Sequence, residues 1–283
     1  MDLGLKEGDL AGIFTATYTG GSANYAAVIQ STGFDDASTV SAATAVDNLM
    51  SAIFLAALAI IPASRWLMSN FAERTHRETS ANDKAQEPRQ VTGFSLAAAI
   101  AFTLSVVALS DFLVMGLNQW FDSEGFSRLR YVFITLFAVL SATFFPGAMA
   151  RLHGGQTLGI VLAFVFFAAI AAGADVTKLI GVAPILLLFV IVLLSIHALV
   201  VFGLGSVISK LASKVATENN LFALSLPELI TASNAAILGA TTAPALAMAR
   251  GWPALATPGI LAGVAGYIVG TPLGLAVAAL LSP

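Results

Sequence analysis

The chain has 283 residues, of which 58% are hydrophobic and only 10% are charged, and its mean hydropathy is +0.88. Because soluble domains carry about 25% charged residues, this composition excludes an ordinary soluble protein and predicts an all-α polytopic membrane protein. The net charge of −3, without a basic patch, gives no indication of a nucleic-acid partner, and the lack of cysteine excludes disulfides, thiolate metal sites and a cysteine nucleophile.

About eight transmembrane segments are predicted in chain order. They cover residues 9–32, 38–68, 92–117, 130–150, 156–174, 179–208, 222–250 and 257–281. Residues 1–69 are interpreted as the remnant of an N-terminal repeat, residues 70–91 as a polar linker, and residues 92–283 as a C-terminal repeat with scaffold helices. The linker is the most basic connection, which favours the cytoplasmic side of a cell (plasma or inner) membrane. The lipid bilayer is the expected partner.

The first segment is interrupted by a run of small and polar residues, 15–25, which contains Gly20 and Gly21. Each glycine costs a helix about 1 kcal/mol relative to alanine, and an unsatisfied backbone group in lipid costs several kcal/mol. We therefore expect the interruption to be buried in protein or to line a wet cavity, as in the discontinuous helices of secondary transporters. The alternatives are a glycine-kinked helix without a ligand and a simple loop.

A second interruption lies at residues 231–244, where small polar residues and glycine again replace apolar sequence. A shift of 218 positions brings Gly21 onto Gly239. In each unit an interrupted helix is followed by a glycine-aromatic turn and a long helix of small residues. Two interrupted segments at corresponding positions predict a binding site near the midplane of the bilayer.

Asp47 and Asn48 lie in the otherwise apolar second segment. A carboxylate at membrane depth costs at least about 2.5 kcal/mol on insertion scales, so it normally faces the bundle interior and marks a functional site. Asp47 is accordingly a candidate cation ligand or titrating group, with a structural pairing as the alternative. We expect Asp111 to reach the interface or cap a neighbouring helix. We expect His197 to be a hydrogen-bonded packing residue, with a proton relay as the alternative.

The two interruptions and the Asp47 segment offer hydroxyls, amides and backbone groups, which suit Na⁺, while positive helix ends suit a small anion. No cofactor beyond Na⁺ is expected. The candidate binding residues for substrate or ion are Thr17, Thr19, Gly20, Gly21, Ser22, Asn24, Asp47, Asn48, Asn234, Thr241 and Thr242.

The last segment carries glycines at helical spacing, Gly259, Gly263, Gly266 and Gly270. Glycines on one face let a second backbone approach closely, so this face predicts tight packing against a partner helix. We interpret it as a packing surface and not as a binding site.

Three stretches resemble the YjcL-like family, also called domain of unknown function 819: residues 17–24, residues 40–49 with Asp47-Asn48, and residues 233–267. The resemblance covers nearly the whole chain. It implies a fold like that of bile acid:sodium symporters and cation–proton antiporters, with two inverted repeats whose broken helices cross at the midplane. It implies no particular substrate.

The chain departs from this family pattern in two places. Family members carry additional helices before the first motif, so we expect an N-terminally short chain that forms homo-oligomers or needs a missing N-terminal membrane partner. Ala236 and residues 238–240 stand where the family usually has a second asparagine and Gly-Gly-Pro, which puts the ligand capacity of that side in question. The predicted segments also place an even number of spans between the starts of the two broken helices, whereas an inverted repeat requires an odd number.

These features together predict an ion-coupled secondary transporter, driven by Na⁺ or H⁺, of a small solute for which an anion is one option. The sequence contains no nucleophile elbow, phosphate loop or metal-ligand cluster, so bond chemistry is not expected. Two alternatives from other classes are a non-transporting membrane subunit and an intramembrane enzyme that uses Asp47. Product formation by purified protein would select the enzyme, and activity recovered only on co-expression would select the subunit.

Overall fold

A computed structural model describes residues 7–64, 68–69, 71, 90–122, 124–172, 175–212 and 223–282. The predicted all-α class is confirmed, since the described residues contain helices and no strand. The α-helices in chain order are α1 (Glu7–Gly20), α2 (Ser22–Thr32), α3 (Ala37–Ile60), α4 (Gly93–Phe121), α5 (Arg130–Phe144), α6 (Pro146–Met149), α7 (Gly155–Ala172), α8 (Val176–Ala198), α9 (Gly205–Ala212), α10 (Leu226–Leu238), α11 (Thr242–Ala249) and α12 (Ala256–Leu281). A π-helical segment, Leu199–Leu204, joins α8 to α9.

Four stretches of the described chain are long and apolar enough to cross a membrane: Ala37–Ala63, Gly93–Phe121, Ile180–Ala212 and Pro253–Leu281. Two shorter apolar helices are Arg130–Phe144 and Leu226–Leu238. The protein is therefore a multi-pass membrane protein, and the total of eight segments stays a prediction. Most of the predicted linker at residues 70–91 lies outside the described residues, so the proposed division into repeats also stays a prediction.

Local sequence decides where the helices around the interruptions begin. The carboxylate of Asp36 accepts hydrogen bonds from the backbone N–H groups of Ser38 and Thr39 and so caps α3. Ser225 and Glu228 form a reciprocal capping box at the start of α10, where Glu228 Oε2 accepts from the Ser225 N–H at 2.7 Å. These caps satisfy backbone donors that lipid could not.

The first interruption is a helical hairpin. Gly12 packs against Gly274 and Gly20 against Gly266, so α1 runs antiparallel to α12. On the return, Val28 of α2 again lies beside Gly274. The segment therefore enters and leaves at the C-terminal end of α12. The expectation of a broken helix that continues across the membrane is corrected here, because the chain reverses direction at the break.

The second interruption is a hairpin that points the opposite way. Thr231 of α10 and Ala243 of α11 both lie beside Gly259, while Ala240 at the turn lies beside Gly263. Helix α10 thus runs parallel to α12 as far as the turn, and α11 returns. This hairpin enters from the N-terminal end of α12, opposite to the first.

The two hairpin tips have the same backbone conformation and meet at one side chain. Gly21 has φ 73° and ψ −174°, and Gly239 has φ 90° and ψ −175°, a region that glycine alone occupies without large strain. A Cβ atom on Gly21 would lie 3.6 Å from Cε1 of Tyr267, and one on Gly239 would lie 3.2 Å from the same atom. The first break is thus confined to one residue, and residues 15–20, expected to be unwound, stay helical.

The hairpins also resolve the difficulty with the predicted segment count. A hairpin returns to the side from which it came, so it does not count as a crossing. By the predicted segments, five crossings then separate the two hairpins, and an odd number agrees with their entry from opposite ends of α12. Opposite entry along α12 is the direction that an inverted repeat requires, although the repeat itself stays a prediction.

Candidate functional site

Both hairpins pack against the glycine face of α12. At Gly263 the backbone of Ala240 comes so close that a Cβ would overlap it, and at Gly266 the carbonyl oxygen of Thr19 does the same. The predicted packing face is therefore confirmed, with the difference that it receives two hairpin tips instead of one partner helix. Because lipid gives no hydrophobic drive for helices to associate, this close backbone contact is what holds the tips in place.

Each tip is also hydrogen-bonded to the same turn of α12, but with the roles of backbone and side chain exchanged. In the first hairpin, Nδ2 of Asn24 donates to the carbonyl oxygens of Gly266 and Tyr267, at 3.3 and 3.2 Å. In the second, the backbone N–H of Ala240 donates to the hydroxyl of Tyr267 at 3.2 Å. The residues around Tyr267 are thus the meeting point of the site.

A buried carboxyl group lies behind the first tip. Asp47 of α3 is only 7% exposed, and its Oδ2 accepts a long hydrogen bond of 3.5 Å from the hydroxyl of Thr17 in α1. Its Oδ1 is buried with no hydrogen-bond partner among the described residues. The buried hydroxyl of Tyr18 lies beside the same carboxyl. This cluster has spare oxygen atoms and can accept a proton or a cation.

A buried amide lies behind the second tip. Asn234 of α10 is completely buried, and its Oδ1 accepts a hydrogen bond of 2.7 Å from the hydroxyl of Thr242, the first residue of α11. Its Nδ2 is buried and has no acceptor among the described residues. The second hairpin thus has a spare donor where the first has a spare acceptor.

His197 connects the second hairpin to two other helices. Its Nε2 is 2.9 Å from the hydroxyl of Ser233 in α10, and its ring packs edge-on against Phe54 of α3 with the ring centroids 5.8 Å apart. The histidine lies two residues before the π-helical segment Leu199–Leu204. This placement agrees with the expectation of a hydrogen-bonded packing histidine.

The structure gathers some of the predicted binding residues and not others. Thr17 and Asp47 meet behind the first tip, and Asn234 and Thr242 meet behind the second. Six other predicted positions lie at or next to the tips: Asn24 and Gly20 are buried, Thr19 and Gly21 are half-buried, and Ser22 and Thr241 are exposed. Asn48 lies in α3 and is exposed although Asp47 is buried, because successive helical residues point in different directions.

Sequence reasoning missed Tyr18, Tyr267 and Ser233 as site residues. Tyr18 lies inside the first motif, next to Thr17, so its position in the motif was a usable signal. Tyr267 stands as an aromatic residue between the glycines of α12, but nothing in the sequence indicates that two remote breaks converge on it. Asp111 lies elsewhere, in a two-point ion pair in which the Arg130 guanidinium binds both carboxylate oxygens, Nη2 to Oδ2 at 3.0 Å.

Comparison with known proteins assigns the chain to a family. The family model described as "Protein of unknown function (DUF819)" matches residues 3–283. The chain belongs to this family. The protein called "Uncharacterized membrane protein YjcL" of Bacillus subtilis (strain 168) is 31% identical to it over 277 residues, which cover 94% of this DUF819 chain and 66% of YjcL. The chain therefore spans about two thirds of the length of that relative.

The predicted membership of the YjcL-like family is thereby confirmed, and so is the membrane location. No solved structure matches this DUF819 protein. The likeness to bile acid:sodium symporters and cation–proton antiporters stays a prediction. Among the described residues no group of three or more His, Cys, Asp or Glu side chains could hold a metal ion. Whether Na⁺ binds through other oxygen atoms stays a prediction.

Proposed function

We propose that this DUF819 membrane protein is a secondary transporter of a small solute, coupled to Na⁺ or H⁺, in which Asp47 is the coupling group. The observation that carries the proposal is the carboxyl of Asp47. It is buried in the helix bundle, and its Oδ1 has no hydrogen-bond partner among the described residues. A buried charge without a partner is so costly that the carboxyl must be neutralised, either by a proton or by a bound cation.

The same requirement supplies a coupling mechanism. With the carboxyl neutralised, the cluster of Asp47, Thr17 and Tyr18 is compatible with apolar surroundings. When the carboxyl is charged and no cation is bound to it, the cluster requires contact with water. Loading and unloading therefore favour different conformations, and a cation can shift that equilibrium by its difference in affinity for the two states.

The hairpins support transport over a purely structural role. Non-helical backbone at membrane depth is tolerated only inside protein or along a wet cavity. Here two such breaks enter from opposite ends of α12 and meet at Tyr267. A site between two tips can open to either side if one hairpin moves against the other, which is what alternating access requires.

An intramembrane hydrolase is the less favoured reading. It would need a second acid or base beside Asp47. Asp111 is held by Arg130, and His197 faces Ser233 and Phe54. The proposal therefore includes no bond chemistry.

The test is sodium binding by calorimetry on purified protein at two pH values, combined with infrared spectroscopy of the protonated-carboxyl band. We expect wild type to bind Na⁺ more weakly at the lower pH, because protons compete for Asp47, or to show only a carboxyl band that changes with pH. Asp47→Asn keeps the shape of the side chain and removes the charge, so both signals should disappear.

Asp111→Asn is the matched control, since it removes the other carboxyl within a long apolar helix of the described chain and leaves the hairpins untouched. It should retain the wild-type response. If wild type and Asp47→Asn bind Na⁺ alike at both pH values and show the same carboxyl band, Asp47 is structural and the proposal fails.

A further inference from the structure

We infer that the second hairpin binds the carboxylate group of a monoanionic solute, at Asn234 and the first turn of α11, through uncharged donors alone. The inference rests on the proposed function and names the class of solute. It starts from the amide of Asn234, which is completely buried and has Oδ1 engaged by Thr242. Its Nδ2 still lacks an acceptor among the described residues.

The amide lies beside a helix N-terminus that its own sequence leaves uncapped. Thr241, the residue before α11, makes no side-chain capping hydrogen bond. The hydroxyl of Thr242 is directed to Oδ1 of Asn234 and to the carbonyl oxygen of Gly239, at 2.7 and 3.3 Å, and so does not cap the helix either. The first N–H groups of a helix carry a partial positive charge. In this first turn the N–H of Ala243 donates to the carbonyl oxygen of Gly239 at 3.4 Å and Pro244 has no N–H, so the N–H of Thr242 is the helix donor that occurs together with the Asn234 donor.

This set of donors selects the charge of the ligand. A carboxylate has two oxygen atoms, so that one can accept from Nδ2 of Asn234 while the other accepts from the first turn of α11. The sequence has no Lys, Arg or His in residues 7–64 or 223–249, and none in α12. A site without a formal positive charge suits a single negative charge and not a phosphate dianion, which proteins normally hold with Arg or Lys.

The proton or cation that neutralises Asp47, behind the first tip, supplies the positive charge that the donors of the second hairpin lack. Its tip lies against the same Tyr267 ring atom as the second tip, and Asp47 lies behind it. While Asp47 is negative it repels an anion. Once a proton or cation neutralises Asp47, that repulsion disappears. Binding of the cation and of the carboxylate should therefore each increase the affinity for the other by the same factor.

The experiment measures the thermal unfolding midpoint of the protein in nanodiscs against defined ions. The probes are acetate, lactate and benzoate as monocarboxylates, sulfate as an anion that stays doubly charged at the lower pH, and methylammonium as the cation. We expect saturable stabilisation by at least one monocarboxylate, stronger when Asp47 is neutralised by Na⁺ or by lower pH. Sulfate and methylammonium should give none through this site. Stabilisation by sulfate but by no monocarboxylate would overturn the inference.

Three variants locate the binding site. Asn234→Leu keeps the side-chain volume and removes the unpaired donor, so the fold should tolerate it while the apparent carboxylate affinity falls at least about tenfold. Ser31→Ala removes another buried and unpaired polar group, at the far end of α2, and should not change carboxylate binding. Ser22→Pro removes one N–H from the first turn of α2, where proline is tolerated, and should also leave binding unchanged.

The outcomes separate this inference from the proposed function. Loss of carboxylate binding in Ser22→Pro with retention in Asn234→Leu would place the anion on the first hairpin and overturn the inference. If no monocarboxylate stabilises wild type while the Asp47-dependent cation response persists, the inference fails and the proposed function stands. If carboxylate binding depends on Asn234 but does not change in Asp47→Asn, the solute site is supported and Asp47 is not the coupling group.

Discussion

The two hairpins share a backbone and differ in their polar chemistry. Both turn at a glycine with φ between 73° and 90° and ψ near 180°, and both rest on α12 at Tyr267. Behind the first tip lies a carboxyl group with a spare acceptor, Asp47. Behind the second lies an amide with a spare donor, Asn234. Under the two proposals above, the same backbone turn, used twice, would serve ligands of opposite charge, with the buried side chain behind each tip determining which.

The two tips also differ in how they are attached. The first is held by a side chain, Asn24, that donates to backbone carbonyls of α12, whereas the second is held by the backbone N–H of Ala240, which donates to a side chain of α12. A side-chain anchor can be removed by one substitution in the hairpin. A backbone anchor can be removed only by changing its acceptor, Tyr267, in α12.

The largest expected effect on stability comes from the two glycines of α12 against which the tips pack. In Gly266→Ala the new methyl group would overlap the carbonyl oxygen of Thr19, and in Gly263→Ala it would overlap the backbone of Ala240. Backbone atoms cannot rotate away, so we expect each variant to be destabilised by about 3 kcal/mol or more, the upper end of the effects of overpacking. Thermal unfolding in nanodiscs measures this. Gly266→Ala should weaken the cation response more, and Gly263→Ala the carboxylate response more.

The control for these two variants is Gly116→Ala. This glycine lies in α4, and a Cβ there would meet nothing within 4 Å. Removing glycine from an open helix position should raise stability slightly, by about 0.5–1 kcal/mol. If Gly266→Ala and Gly263→Ala behave like this control, the close seating of the tips on α12 is wrong.

A smaller effect is expected from the turns themselves. Gly21→Ala and Gly239→Ala both place a side chain in a backbone region that glycine prefers, at a cost of about 1–3 kcal/mol each. Gly239→Ala should lose more, because its Cβ would be 2.8 Å from the Tyr267 hydroxyl, whereas that of Gly21 would be 3.6 Å from the ring.

Gly33→Ala gives a lower reference for strain in that comparison. Gly33 has φ 67° and ψ 29°, the left-handed helical region, which other residues enter more readily than the region of Gly21 and Gly239, and a Cβ there would meet nothing within 4 Å. Its loss of stability, about 1–2 kcal/mol, measures strain in the left-handed region without a contact. Unfolding midpoints that show Gly239→Ala no worse than Gly33→Ala would contradict the contact between the second tip and Tyr267.

The smallest effects concern side-chain hydrogen bonds. Asn24→Ala removes one amide that donates to two carbonyl groups of α12 at 3.3 and 3.2 Å. Bonds of this length belong at the low end of about 0.5–1.5 kcal/mol each, so we expect a loss of about 1–2 kcal/mol. Ser233→Ala removes one bond to His197 and should cost about 1 kcal/mol. The reverse order in thermal unfolding would show that the first tip does not depend on its side-chain anchor.

Several features of this protein follow from the sequence alone. Composition determines the membrane class, because a chain with 10% charged residues cannot cover a water-exposed surface. The glycines at 21 and 239 predict the two breaks, and the cost of a carboxylate in lipid predicts that Asp47 is buried. The capping residues predict where α3 and α10 begin. Each of these depends on a residue and its near neighbours in the chain.

Only the tertiary structure decides the direction that the chain takes after each break. A glycine permits many backbone conformations, so its presence marks a break without selecting between a continuing helix and a hairpin. Packing against the glycine face of α12 selects the hairpin in both cases. The contact of both tips with Tyr267 joins segments more than 200 residues apart in the chain. Such contacts depend on the summed packing of all helices, so neither periodicity nor motif spacing could indicate them.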